Sequence, residues 1–136
     1  MSRENAEIVR RMFDAFRNAD WAVAARPLHP DIEMDTTRAP ISELAGVYMG
    51  LEEVAGFWRG WLDAWGVQTY EDPELIDAGD QVLSWVTGHH LRERGSGVEV
   101  GLPPYAWMVT LRDGKVVQAT MYMDKKKALE AAGLRE

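Results

Sequence analysis

An imidazole held among apolar side chains can act as a general base or acid near neutral pH. His89 keeps such company, with Leu83, Trp85 and Leu91 on alternate positions of the same run. On a regular strand its neighbour His90 points to the opposite face, unless a bulge at Gly88 exchanges the two. Two adjacent histidines cannot both turn inward, and no third ligand stands at a convincing spacing, so the sequence predicts no metal site. The plain account of His89 is an imidazole satisfied by a backbone carbonyl or turned to solvent. Asp35 is the second candidate base, because a carboxylate on a cavity wall loses hydration, its pKa rises, and it becomes a stronger base. Strict alternation nevertheless puts Ile32, Met34 and Thr36 on one face and Glu33 with Asp35 on the other, so Asp35 reaches an interior only through a bulge or the adjoining loop.

The remaining chemistry is aromatic. Trp58, Trp85 and Trp107 offer flat faces on which a planar ligand can stack, a contact worth roughly 0.5–1.5 kcal/mol beyond the area it buries. Core filling explains the same residues. Met12, Met121 and Met123 adapt to irregular shapes and can line the same space or simply pack. Tyr105 is the inward hydroxyl that the strand pattern offers beside Trp107. No Gly-rich phosphate loop, dinucleotide fingerprint or Ser-His-Asp order is present.

These side chains need a frame. Ile8, Val9, Met12, Phe13 and Phe16 recur at helical spacing between Glu4 and Asn18. Asp20 caps a shorter helix from Trp21, and Pro27 with Pro30 ends it. A short strand follows from Ile32 to Thr36. Thr37 to Gly50, with Pro40 and Gly46, reads as a long loop with a brief extended piece at Val47-Tyr48. A third helix over Leu51 to Trp65 carries Val54, Phe57, Trp58, Trp61, Leu62 and Trp65, and Gly66 stops it. Turn residues then introduce Gln81–Arg94, Val98–Leu111 and Lys115–Met123 as a three-stranded antiparallel meander. Asp124 caps a final helix through Leu129, ended by Gly133. The lysines at 125–127 in its first turn read as a solvated helix end, with Glu130 within pairing distance along the helix.

Helices first and long strands afterwards imply an α+β fold in which a curved sheet closes on the helices as a cone with an internal pocket. One domain spans 1–136. Lys plus Arg number 15 against 22 Asp plus Glu, a net charge of -7 that leaves no basic face for nucleic acid. The absence of cysteine excludes disulfides and thiolate chemistry. No run approaches the ~20 apolar residues of a membrane span, and the polar start MSRENAEIVRR is no secretory signal, so a soluble cytoplasmic protein without membrane contact is expected.

The run His29-Pro30-Asp31 before a strand, Tyr48-Met49-Gly50-Leu51-Glu52-Glu53-Val54 at a helix start, Ile76-Asp77-Ala78-Gly79-Asp80, and Thr110-Leu111-Arg112-Asp113-Gly114-Lys115-Val116-Val117 together resemble the NTF2-like superfamily. The likeness is to its SnoaL-like branch, relatives of polyketide cyclases and ketosteroid isomerases, over nearly the whole chain. It implies the cone fold and a small-molecule pocket. Laid over the isomerase pattern, the oxyanion-holding tyrosine falls on Met12, the protonated aspartate on Trp107, the base on Thr36 or with a one-residue shift on Asp35, and the pocket tyrosine on Trp58. The acidic position of the cyclases falls on Met121. The resemblance thus implies a cavity stripped of polar handles, natural or remodelled.

The expected function is a cofactor-free proton-transfer enzyme of isomerase, cyclase or lyase type acting on a hydrophobic planar small molecule. Asp35 or His89 would be its base, and Met12, Trp58, Trp85, Tyr105, Trp107 and Met121 its binding surface. The alternative is a non-catalytic module that binds an apolar ligand. A homodimer through the outer sheet face is also expected, with Val82, Val86, Met108 and Tyr122 supplying apolar contact.

Overall fold

The structure is a computed structural model and describes residues 2–39, 45–69 and 71–134. Residues 40–44 of the expected long loop therefore lie outside the described residues. The apolar stripe of α1 (Ser2–Arg17) buries Val9, Met12 and Phe13, and α2 (Trp21–Ala25) begins where Asp20 accepts a hydrogen bond from the Val23 amide at 3.2 Å. Then come β1 (Leu28–Asp35), β2 (Val47–Met49) and α3 (Gly50–Ala64). The second half holds β3 (Trp65–Thr69), β4 (Glu74–Ala78), β5 (Gln81–Val86), β6 (His90–Glu93), β7 (Glu99–Gly101), β8 (Tyr105–Arg112), β9 (Lys115–Tyr122) and α4 (Lys125–Ala131). Asp124 caps α4 as expected, accepting from the Lys126 amide at 2.9 Å.

Among the described residues the strands form two sheets. The larger runs β2-β1-β9-β8-β5-β4, curved and unclosed, with β1 parallel to β9 and its other pairs antiparallel; the smaller runs β3-β6-β7. The expected α+β cone is the observed fold. The expected meander is not, because two of its three long strands are each broken in the middle. Residues 87–89 separate β5 from β6 and residues 102–104 separate β7 from β8, and in each case the chain passes from one sheet to the other. The breaks have local causes. Gly88 adopts φ +65°, a left-handed conformation that interrupts a strand, and Pro103-Pro104 remove two ladder donors.

Helices α1 and α3 cover the inner face. Val9, Met12 and Phe13 of α1 and Val54 of α3 pack with Ile32, Met34, Val82, Val86, Trp107, Val109 and Val116 of the strands. A second cluster lies on the opposite face, where Ala128 and Leu129 of α4 cover Leu83, Ala106 and Met108. This corrects the expected parity of β5. Ser84 pairs with Trp107 and Leu83 with Met108, and cross-strand partners share a face. Val82 and Val86 therefore point inward, whereas Leu83 and Trp85 point outward. The apolar outer face from which a homodimer was expected loses Val82 and Val86 to the inner cluster and Met108 to the cover of α4. Among the described residues no helix is long and apolar enough to cross a membrane.

Candidate functional site

The cone encloses a cavity of about 90 Å³, several times the ~10–15 Å³ that one water needs. Its wall is drawn from α1, α3 and both sheets, and among the described residues it is apolar apart from Gln68, His89, Tyr105 and the tryptophan N–H groups. Met12, Trp58, Tyr105, Trp107 and Met121 line it, as does His89. Trp58 is held by α1, its ring stacked on Phe16 at 4.4 Å between centroids.

Two of the sequence candidates lie elsewhere. Asp35 faces away from the cavity, as strict alternation requires, while its strand neighbours Ile32 and Met34 line the wall. Its carboxylate accepts from the Thr37 hydroxyl at 2.6 Å and the Thr37 amide at 2.9 Å, and Arg38 stands 3.7 Å away. Partial burial works to raise its pKa, but the Thr37 hydrogen bonds and Arg38 outweigh it, and the carboxyl is held below its usual value. A cavity-wall Asp35 with a raised pKa is therefore not what the structure holds. Trp85 faces the α4 side, where Lys125 sits over its ring at 5.8 Å. It is not part of the wall, because β5 has the opposite parity.

His89 reaches the wall by a different route from the one expected. An unbroken strand in the observed register would carry residue 89 to the outer face with Leu83 and Trp85. The left-handed turn at Gly88 resets the alternation, and the His89 carbonyl accepts from the Leu102 amide at 2.9 Å. The imidazole is 5 % exposed. Its Nδ1 lies 2.8 Å from the Tyr105 hydroxyl and its Nε2 lies 3.2 Å from Gln68 Oε1. That oxygen also accepts from the Trp61 indole N–H at 3.2 Å, and Gln68 Nε2 donates to the Phe16 carbonyl at 3.1 Å. Burial, with a smaller contribution from the charge of His90, pushes the His89 pKa down to about 4, so the ring is neutral at pH 7.

Gln68 was not foreseen. It lies on β3, which follows α3 without a loop, and the signal that could have found it is the β-branched pair Val67 and Thr69 flanking a lone polar residue. Trp61 was read as core, and its buried ring does pack there; its indole N–H is the part that serves the site. Among the described residues no three His, Asp or Glu side chains cluster as a metal site would need.

The SnoaL-like domain matches residues 9–119, and the chain belongs to that family. An NTF2-like protein from Burkholderia pseudomallei superposes with a TM-score of 0.74 at 21% identity, over 93% of this chain and 95% of that one. A candidate polyketide cyclase from Xanthomonas campestris gives 0.75 at 18% identity, over 96% and 98%. TerC, co-crystallised with polyporic acid, gives 0.71 at 22% identity, again over 96% and 98%. At such identities the likeness is one of fold. No curated protein matches the sequence.

Proposed function

We propose that the protein is a small-molecule enzyme of the isomerase or cyclase kind, in which His89 and Tyr105 move a proton on a planar, largely apolar substrate. The observation that carries this reading is the buried imidazole–phenol pair on the wall of an otherwise apolar cavity. A dry wall strengthens each polar contact made in it, and a hydroxyl 2.8 Å from an imidazole is within proton-transfer reach. Trp58 and Trp107 would flank the substrate plane. TerC, a structural neighbour, was co-crystallised with polyporic acid, and a small-molecule ligand for this protein is in keeping with that.

One observation favours the alternative of a binding module. An imidazole whose pKa lies near 4 is a weak base towards an ordinary carbon acid, so a ligand can be held here without reaction. The test is the rate of enolisation of an aryl ketone against pH. As an enzyme, the protein accelerates it, and His89→Gln and Tyr105→Phe each lower the rate by roughly 10²-fold; Asp35→Asn leaves it unchanged. Saturable binding with no acceleration in the parent protein would leave the binding module as the function. A homodimer is a separate proposal, which analytical ultracentrifugation decides.

A further inference from the structure

The hydrogen-bond network fixes more than the position of His89. Tryptophan N–H is a donor only and a backbone carbonyl an acceptor only. Gln68 lies between one of each, so its oxygen must face Trp61 and its nitrogen the Phe16 carbonyl; the flipped amide would set donor against donor and acceptor against acceptor. The Gln68 oxygen is therefore also what His89 Nε2 meets at 3.2 Å, and only a protonated Nε2 can bond to it. In a neutral ring Nδ1 then carries the lone pair, and the Tyr105 hydroxyl must donate to it.

We infer that Gln68 and Trp61 are positioning residues that lock His89 in the Nε2–H tautomer and commit the Tyr105 hydrogen to Nδ1, so that the cavity presents to its ligand a phenolic acceptor and selects molecules bearing an O–H donor, enols and phenols, over bare ketones and ethers. This deepens the reading of the cavity as a ligand site and rests on it. A hydroxyl whose hydrogen is committed to His89 is not an oxyanion donor. The reaction that follows balances. The ligand O–H proton passes to Tyr105 Oη as the Tyr105 proton passes to Nδ1, leaving an enolate and an imidazolium whose Nε2–H still bonds Gln68. Return of the proton through Tyr105 to a carbon of the enolate completes an enol-to-ketone isomerisation, with no oxidant or co-reactant.

Two measurements test the inference on the intact protein. Two-bond ¹H–¹⁵N correlation of the histidine rings at pH 7 reads the tautomer directly. The expected spectrum shows His89 with a pyrrole-type Nε2 and a pyridine-type Nδ1, and Gln68→Leu loses that single tautomer. A pyrrole-type Nδ1 in the parent protein overturns the proposal without need of any variant. In the second measurement, tryptophan fluorescence is titrated with 2-naphthol and with 2-methoxynaphthalene. The hydroxyl compound binds roughly tenfold tighter, a preference that Tyr105→Phe abolishes; equal affinity or preference for the ether overturns the donor selection. If neither compound binds, the ligand-site reading fails and the donor selection falls with it, whereas the ring spectrum judges the tautomer lock separately.

Discussion

At the scale of single residues, His89 links stability to pH. Its pKa is about 4 in the fold against 6.5 when unperturbed. Between those values the unfolded chain binds a proton that the folded chain does not, so stability falls as pH is lowered through that window and is fully retained above it. The loss approaches about 3 kcal/mol by pH 4. Urea unfolding at pH 7 and pH 4.5 measures it, and the difference between the two should shrink markedly in His89→Gln. An equal acid loss in both proteins would mean that His89 is not the buried neutral group described here. The residues of the wall were largely legible in the sequence because aromatic and methionine side chains at core spacing must be buried somewhere. Asp35 and Trp85 were the exceptions, since neither lines the cavity. Alternation alone turned Asp35 outward, and it took a bulge, the adjoining loop or the one-residue shift of the family resemblance to draw it in.

At the scale of elements, what the sequence hid was phase. A strand's alternation says which residues share a face but not which face is inside. The β5 run Val82-Leu83-Ser84-Trp85-Val86 is apolar on both parities, and pairing with β8 decides between them. The sequence reading set Leu83 and Trp85 on the inward parity with His89; burial under α4 lets Leu83 and Trp85 be apolar while facing out. The Gly88 turn then restores His89 to the wall. Because Gly88 has φ +65° and a Cβ built there would lie 3.0 Å from Glu71 Cγ, Gly88→Ala should destabilise the fold by about 1–2 kcal/mol. It should also disturb the His89 ring resonances, whereas Gly95→Ala, with nothing within 4 Å of its Cβ, should leave them in place. A Gly88→Ala protein with unaltered stability and His89 signals would show that the turn does not set the register.

At the scale of the whole molecule, the curved sheet is a wall with two coats. The helices α1 and α3 leave a hollow on one side, and α4 fills the other. The second coat was half legible: Asp124 announced the last helix, but nothing in the local pattern said that it folds back over β5 and β8. Leu129 is 7% exposed in that layer, and Leu129→Ala should cost about 2–4 kcal/mol by chemical denaturation without weakening naphthol binding. A loss of binding out of proportion to stability would show that the two faces are coupled. The hollow, by contrast, follows from the order of elements, since helices at the start of the chain and a long curved sheet after them leave a space that Trp58, Trp107 and the methionines line without filling.

The central claim is that this hollow is a ligand site whose polar handle is the His89–Tyr105 pair. A crystal structure of the protein soaked with 2-naphthol tests it most directly. Ring density is expected inside the cavity beside Trp58 and Trp107, with the naphthol oxygen within hydrogen-bond distance of Tyr105 Oη. A cavity closed by its own side chains, or a naphthol seated on the outer surface with Tyr105 untouched, would contradict it.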